Sequence, residues 1–143
     1  MNVLIASDHA GYELKENLKD YFSEKFYFDD FGTFSTKSVD YPDFIHPLAN
    51  EISKDSSKKG IILCGSANGV SMVANKHENV RAALCWEVEI AELARKHNDA
   101  NILALPARFI DFEKAVEIVN TFFVTDFEGG RHQLRVNKIN IPK

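Results

Sequence analysis

Five short apolar runs, each followed by a stretch with helical periodicity, constrain this chain more than any other feature. The runs are Val3 to Ala6, Phe26 to Phe31, Ile61 to Cys64, Arg81 to Cys85 and Asn101 to Leu105. Runs of this length and character read as buried strands. Leu14, Leu18 and Phe22 recur at helical spacing, and so do Phe44, Ile45, Leu48, Ala49 and Ile52 after Asp40-Tyr41-Pro42-Asp43. Pro42 suits the first turn of that second helix, whereas Pro47 speaks against a regular one. A third helix is expected to open near Ala67 or Asn68. A fourth covers Glu87 to Lys96, with Ile90, Leu93 and Ala94 inward and His97 continuing the face. A fifth covers Phe112 to Phe123, with Ala115, Val116, Val119 and Phe123 inward. Phe127 to Arg135, with the Gly129-Gly130 break, reads as a terminal helix carrying Arg131 and Arg135. Strands alternating with helices make right-handed βαβ units, so the expected fold is α/β, a five-stranded parallel sheet between helical layers.

The 143 residues suit one domain, 1–143, with a C-terminal helix and tail from about residue 128. A formal charge of −4 argues against general nucleic-acid binding. No long apolar stretch or basic leader is present, so no membrane association and a cytoplasmic location are expected. Cys64 and Cys85 are not in a zinc-type spacing, and a structural disulfide is not expected.

In such sheets ligands gather at the carboxyl ends of the strands, where Asp8-His9, Cys64 to Gly69 and Cys85-Trp86 all fall. The stretch Gly60 to Lys76 runs from strand through a loop of small residues into a helix. Such a turn aims free backbone N–H groups at one spot, which suits a phosphate or a developing oxyanion. Gly65 and Gly69 keep side chains out of the way, and Ser66 adds a hydroxyl. Cys64 is the natural nucleophile or general base, since a thiolate is favoured near a helix N-terminus. Arg131 and Arg135 are i, i+4 neighbours able to clamp a phosphate, and Arg108 follows the fifth strand. Each has a plainer alternative: Cys64 as a small core residue, Asp8 as a turn cap, His97 as a helix terminus, the arginines as a solvated face. The five histidines show no HxxxH or HxH pairing and no acidic cluster suggests a divalent site, so no metal is expected. There is no GxSxG elbow, GxGxxG turn or Walker loop.

Taken together, Ser7-Asp8-His9-Ala10-Gly11, Asp40-Tyr41-Pro42-Asp43, Cys64 to Gly69 with Ala74-Asn75-Lys76, Ala94 to Asn101 and Gly129-Gly130-Arg131-His132 resemble the type B ribose-5-phosphate isomerases. That family includes galactose- and allose-6-phosphate isomerases. The resemblance covers nearly the whole chain and implies a Rossmann-like three-layer α/β/α sandwich. It also implies a dimer or tetramer with the active site at the subunit interface, no cofactor and no metal. The C-terminal helix and tail would pack at that interface.

By this resemblance Cys64 is the general base that moves a proton between C1 and C2. Gly65, Ser66, Ala67, Asn68 and Gly69 form the anion hole for a cis-enediolate, and Ser66 shuttles a proton between O1 and O2. His97 opens the furanose ring, with Asp43 or Asp8 orienting groups, and Asn98 binds a substrate hydroxyl. Tyr41 belongs to a matching substrate-binding block. His9, Arg108, Arg131 and Arg135 hold the phosphate, some of them donated by the neighbouring subunit. Ala67 departs from the family's usual Gly, and Val70 stands where members lacking the cysteine carry a Glu base, which leaves Cys64 as the only candidate base. The reading that follows is interconversion of ribose 5-phosphate and ribulose 5-phosphate. Its rivals are the same reaction on allose or galactose 6-phosphate, a non-catalytic sugar-phosphate sensor, and a flavodoxin-like nucleotide or phosphate-relay module. Cys64, Ser66 and His97 together speak against a sensor.

Overall fold

The computed structural model describes residues 1–143. Strand β1 (Asn2–Ser7) leads into α1 (Tyr12–Tyr21), β2 (Tyr27–Asp30) and α2 (Pro42–Lys54). Strand β3 (Lys59–Cys64) is followed by α3 (Asn68–Ala74), β4 (Ala82–Leu84), α4 (Val88–Asn98) and β5 (Ile102–Pro106). The chain ends with α5 (Phe112–Val124) and α6 (Arg131–Val136). The sheet order is β2-β1-β3-β5-β4 and every pairing is parallel, as the alternation of strands and helices requires. Side chains alternate across the sheet. Val3, Ile5, Ile61, Leu63, Leu103 and Leu105 meet α1, α4 and α5 on one face. Leu4, Ala6, Ile62, Cys64, Ile102 and Ala104 meet α2 and α3 on the other. The result is a Rossmann-like three-layer α/β/α sandwich whose strand order reverses between β1 and β3.

Local departures from the sequence reading have physical causes. Pro47 lies inside α2 without ending it. A helix-interior proline costs ~3 kcal/mol, whereas burying Ile45, Leu48 and Ile52 stabilises by about 1.5–3 kcal/mol each. Helix α4 runs past Lys96 to Asn98 and stops at Asp99, whose φ of 47° is left-handed. Its inner side carries Ala91 and Arg95 rather than Leu93, which is exposed. Buried Arg95 donates to Asp99 Oδ1 (2.8 Å), the Ala100 carbonyl (2.7 Å) and the Thr125 carbonyl (3.1 Å), tying the end of α4 to the end of α5. The terminal helix does not start at Phe127. Gly129 and Gly130 have φ of 69° and 55°, so helix begins only at Arg131.

One buried ion cluster links the β2 edge to the strand ends. Lys15 is fully buried, with Nζ 2.6 Å from Asp30 Oδ2, which Lys19 Nζ also reaches at 2.8 Å. Asp30 Oδ1 accepts the Gly32 N–H (2.9 Å), and the Gly32 carbonyl accepts the Ser7 N–H (2.7 Å). Burial opposes the charged carboxylate, but hydrogen bonds from Lys15, Lys19 and Gly32 outweigh it and hold Asp30 below its ordinary value of 3.8. A depressed carboxylate stabilises the fold above its unfolded range and loses that contribution as pH falls through its folded value. Stability should therefore decline in acid below about pH 4. Replacing Asp30 by Ala leaves the Lys15 ammonium buried beside only Glu16, and should cost about 3 kcal/mol in urea unfolding at pH 7 and flatten that acid decline.

Candidate active site

The reversal between β1 and β3 opens a cleft of about 460 Å³ at the carboxyl ends of the strands. Cys64 ends β3, almost buried, and its Sγ accepts the Ala67 N–H at 3.1 Å. Ala67 caps α3 with φ 64°, the left-handed conformation that glycine adopts without steric cost. The Ser66 Oγ accepts the Asn68 N–H at 3.3 Å, and the backbone N–H groups of Gly65 and Ser66 have no acceptor within the chain. The exit from β5 tracks this loop: Ala107 donates to the Cys64 carbonyl (2.9 Å) and Arg108 to the Gly65 carbonyl (3.1 Å). The Arg108 guanidinium thereby lies over Gly65.

The β1 side supplies Asp8 and His9. Asp8 donates its N–H to the Leu63 carbonyl, and its Oδ1 accepts the Gly11 N–H at 3.0 Å. The turn-cap role is thus real, at the cleft wall. His9 Nδ1 accepts the Val39 N–H at 3.2 Å. A neutral imidazole that accepts at Nδ1 carries its proton on Nε2, so His9 offers a donor. Tyr41 closes the cleft against Gly69, where a Cβ would lie 2.5 Å from the ring. Gly69 permits that contact and no larger residue does.

One chain therefore brings together Asp8, His9, Tyr41, Cys64, Ser66 and Arg108, with Gly65 and Gly69. Ala67 is buried beneath the loop, Asn68 is exposed on α3, and Asp43 is exposed in the first turn of α2, outside the cleft lining. Cys85 and Trp86 do not join the site. They follow β4, separated from β3 by β5. Cys85 is fully buried, and burial pushes its thiol up to about 12. Exposed Phe109, at the cleft rim, escaped the sequence reading; its only signal was adjacency to Arg108.

His97, Asn98, Arg131 and Arg135 form a second group, and topology explains the separation. Helix α4 returns from β4 to the start of β5, so its last turn lies at the amino edge of the sheet. Strand β3 spans about 16 Å between that edge and Cys64. Helix α6 packs on α4 and carries Arg131 and Arg135 there. The His97 ring stacks on His132 at 4.3 Å and 11°, with Nε2 3.6 Å from Glu128 Oε1. Desolvation, His97 and Arg131 hold His132 below its ordinary value. Glu128 escaped the sequence reading and His132 entered it only within the Gly129-to-His132 block, because each lies more than thirty positions from His97. No helix is long and apolar enough to cross a membrane.

An open parallel sheet whose switch point gathers a thiol, a backbone-lined loop and a guanidinium has the class of site suited to a small, anion-bearing molecule. A family model described as Ribose/Galactose Isomerase matches residues 3–139, and the chain belongs to that family, among the type B ribose-5-phosphate isomerases. It is an isomerase. A ribose 5-phosphate isomerase of Thermotoga maritima is 47% identical, with a TM-score of 0.93 over 97% of both chains. The ribose-5-phosphate isomerase B of Mycoplasma genitalium, solved with bound ribulose-5-phosphate, is 42% identical, with a TM-score of 0.92 over 96% of this chain and 93% of that one. A ribose-5-P isomerase B of Listeria innocua is 38% identical over 138 residues, 96% of this chain and 93% of its own.

Two substitutions probe the loop. Gly69→Ala should displace the Tyr41 ring and lower isomerase kcat/KM roughly ten- to hundredfold with little change in helix content by circular dichroism. Ala67→Val should destabilise the fold by about 2–3 kcal/mol in urea, since a β-branched residue tolerates neither a positive φ nor this buried position.

Proposed function

We propose that the chain interconverts ribose 5-phosphate and ribulose 5-phosphate through a cis-enediolate. The observation that carries this reading is the meeting of the Cys64 thiol, the unpartnered Gly65 and Ser66 N–H groups and the Arg108 guanidinium in one cleft of the family fold. The Cys64 thiolate takes the proton from C2 of the open-chain aldose. The C–H electron pair forms the C1–C2 double bond, and the carbonyl pair moves onto O1. Charge on O1 falls to the loop N–H groups, whose fixed dipoles need no reorganisation. Ser66 carries a proton between O1 and O2, and the thiol returns its proton to C1 to give the ketose. His9, through Nε2–H, and Arg108 hold the phosphate, and that remote contact positions C1 and C2 over sulfur. Tyr41 and Asp8 complete the wall around the substrate.

The rest of the site comes from a second copy. His97 opens the furanose ring, Asn98 binds a hydroxyl, and Arg131 and Arg135 complete the phosphate clamp. Asp43 orients groups near the ring-opening histidine, and Ala67 and Asn68 complete the loop that surrounds the enediolate. Support comes from topology: these groups sit at opposite edges of the sheet in one chain, and α6 buries none of its own residues. In this reading residues 1–143 form one domain, the segment from about 128 onward packs between subunits, and the enzyme works in the cytoplasm as a homo-oligomer. The family description also includes galactose, so hexose 6-phosphates are the second substrate class to test.

Purified protein treated with EDTA should turn over ribose 5-phosphate faster than allose or galactose 6-phosphate; the reverse order would assign it to hexoses. Cys64→Ala should abolish turnover and still bind ribose 5-phosphate. Cys64→Ala and His97→Asn should each be inactive on cyclic substrate alone. Subunit exchange between them should restore roughly a quarter of wild-type sites, because each mixed pair assembles one intact site. No recovery after demonstrated exchange would place Cys64 and His97 in the same subunit's site.

A further inference from the structure

His97, Glu128 and His132 offer three ligand atoms that all lie within 4.8 Å of one another. His97 Nε2 and Glu128 Oε1 are 3.6 Å apart, too far for a hydrogen bond. That separation is close to the ~3.3 Å ligand–ligand edge of a tetrahedral ion with bonds of ~2.0–2.1 Å. The backbone sets this spacing. The Glu128 N–H donates to the Lys96 carbonyl at 3.1 Å, pinning the carboxylate beside the last turn of α4. Gly129 and Gly130 then reverse the chain through two positive φ angles, and the His132 N–H donates to the Gly129 carbonyl at 3.1 Å. This return lays the His132 ring parallel to that of His97. Stacking keeps the two in-plane lone pairs parallel, so ligation of one ion requires the rings to leave the stack by turning about their side-chain bonds, which the part-exposed positions of His97 and His132 leave room for.

We propose that His97, Glu128 and His132 form a binding site for a borderline divalent cation, Zn²⁺ first among them. Two imidazoles and one carboxylate suit zinc with a fourth position left to water. Arg131 and Arg135 are close enough to act on His132 and oppose a cation. The site is therefore a reversible one rather than a structural zinc centre. The donor spacing is argued without that proposed catalysis, but the site shares His97 with it, and one consequence rests on that reading. A His97 nitrogen whose lone pair is held by metal cannot exchange a proton with a ring oxygen, so the ion blocks ring opening and spares enolisation at Cys64.

Binding is measured first in the Cys64→Ala background, which removes the cleft thiol as a competing ligand. Titration with Zn²⁺ by calorimetry and with Co²⁺ by visible absorption should give one ion per chain with a tetrahedral Co²⁺ spectrum. Adding Glu128→Gln or His132→Ala should weaken binding roughly tenfold or more. Absence of stoichiometric uptake, or uptake that neither change weakens, overturns the site. With Cys64 intact, Zn²⁺ should slow turnover of cyclic ribose 5-phosphate reversibly with EDTA, and Glu128→Gln should remove that inhibition. Stoichiometric, Glu128-dependent uptake with full turnover would uphold the site and overturn the role of His97 in ring opening.

Discussion

The parallel ladder between β1 and β3 is the constraint from which the rest follows. Its register runs from Val3 opposite Lys59 to Ser7 opposite Leu63, and Asp8 extends it by donating to the Leu63 carbonyl. Both strands are covered on both faces, so every backbone group there must pair within the sheet. Slipping β3 by one residue would exchange the faces of Ile61 to Cys64 and turn the thiol from the α2/α3 layer to the α1/α5 layer. The same ladder brings Asp8 and His9 beside the loop that follows Cys64. Core packing and site assembly are therefore one constraint, read at two depths.

Around that ladder the chain divides its polar chemistry by sheet edge. At the carboxyl edge the groups are backbone N–H, a thiol, an imidazole and a guanidinium. At the amino edge they are His97, Glu128, His132 and two arginines, held by α4 and by the glycine turn before α6. Arg95 and its carbonyl partners keep the second group in place, and the Lys15–Asp30 cluster steadies the loop leading toward the first. Within one chain the length of the sheet separates the two groups.

What the sequence made legible follows from how local each signal is. The five strands and the inner faces of α2 and α5 showed because their burial repeats along the chain with a fixed period. The Cys64 loop showed because strand, small-residue turn and helix are consecutive. Leu93 misled because α4 is covered on its Ala91–Arg95 side, and a buried arginine with three hydrogen-bond partners has no signature in periodicity. Cys85-Trp86 reach the carboxyl edge but stay outside the cleft, because strand order cannot be read from strand count and β5 comes between β4 and the cleft. The joining of His97 with Glu128 and His132 depends on a reversal at Gly129-Gly130. A pair of glycines announces a break, not the direction taken after it.

The unequal surroundings of the two cysteines give the molecule a built-in chemical reporter. Cys85 is sealed beneath the end of β4, with its thiol held protonated, while Cys64 borders an open cleft. An alkylating reagent added to the native protein thus meets Cys64, 6% exposed at the cleft, before the sealed Cys85, and the rate of that first modification reports how freely the cleft opens to solvent. A bound ligand would register as protection of one sulfur, without any label having to be engineered, and unfolding would register as the arrival of the second.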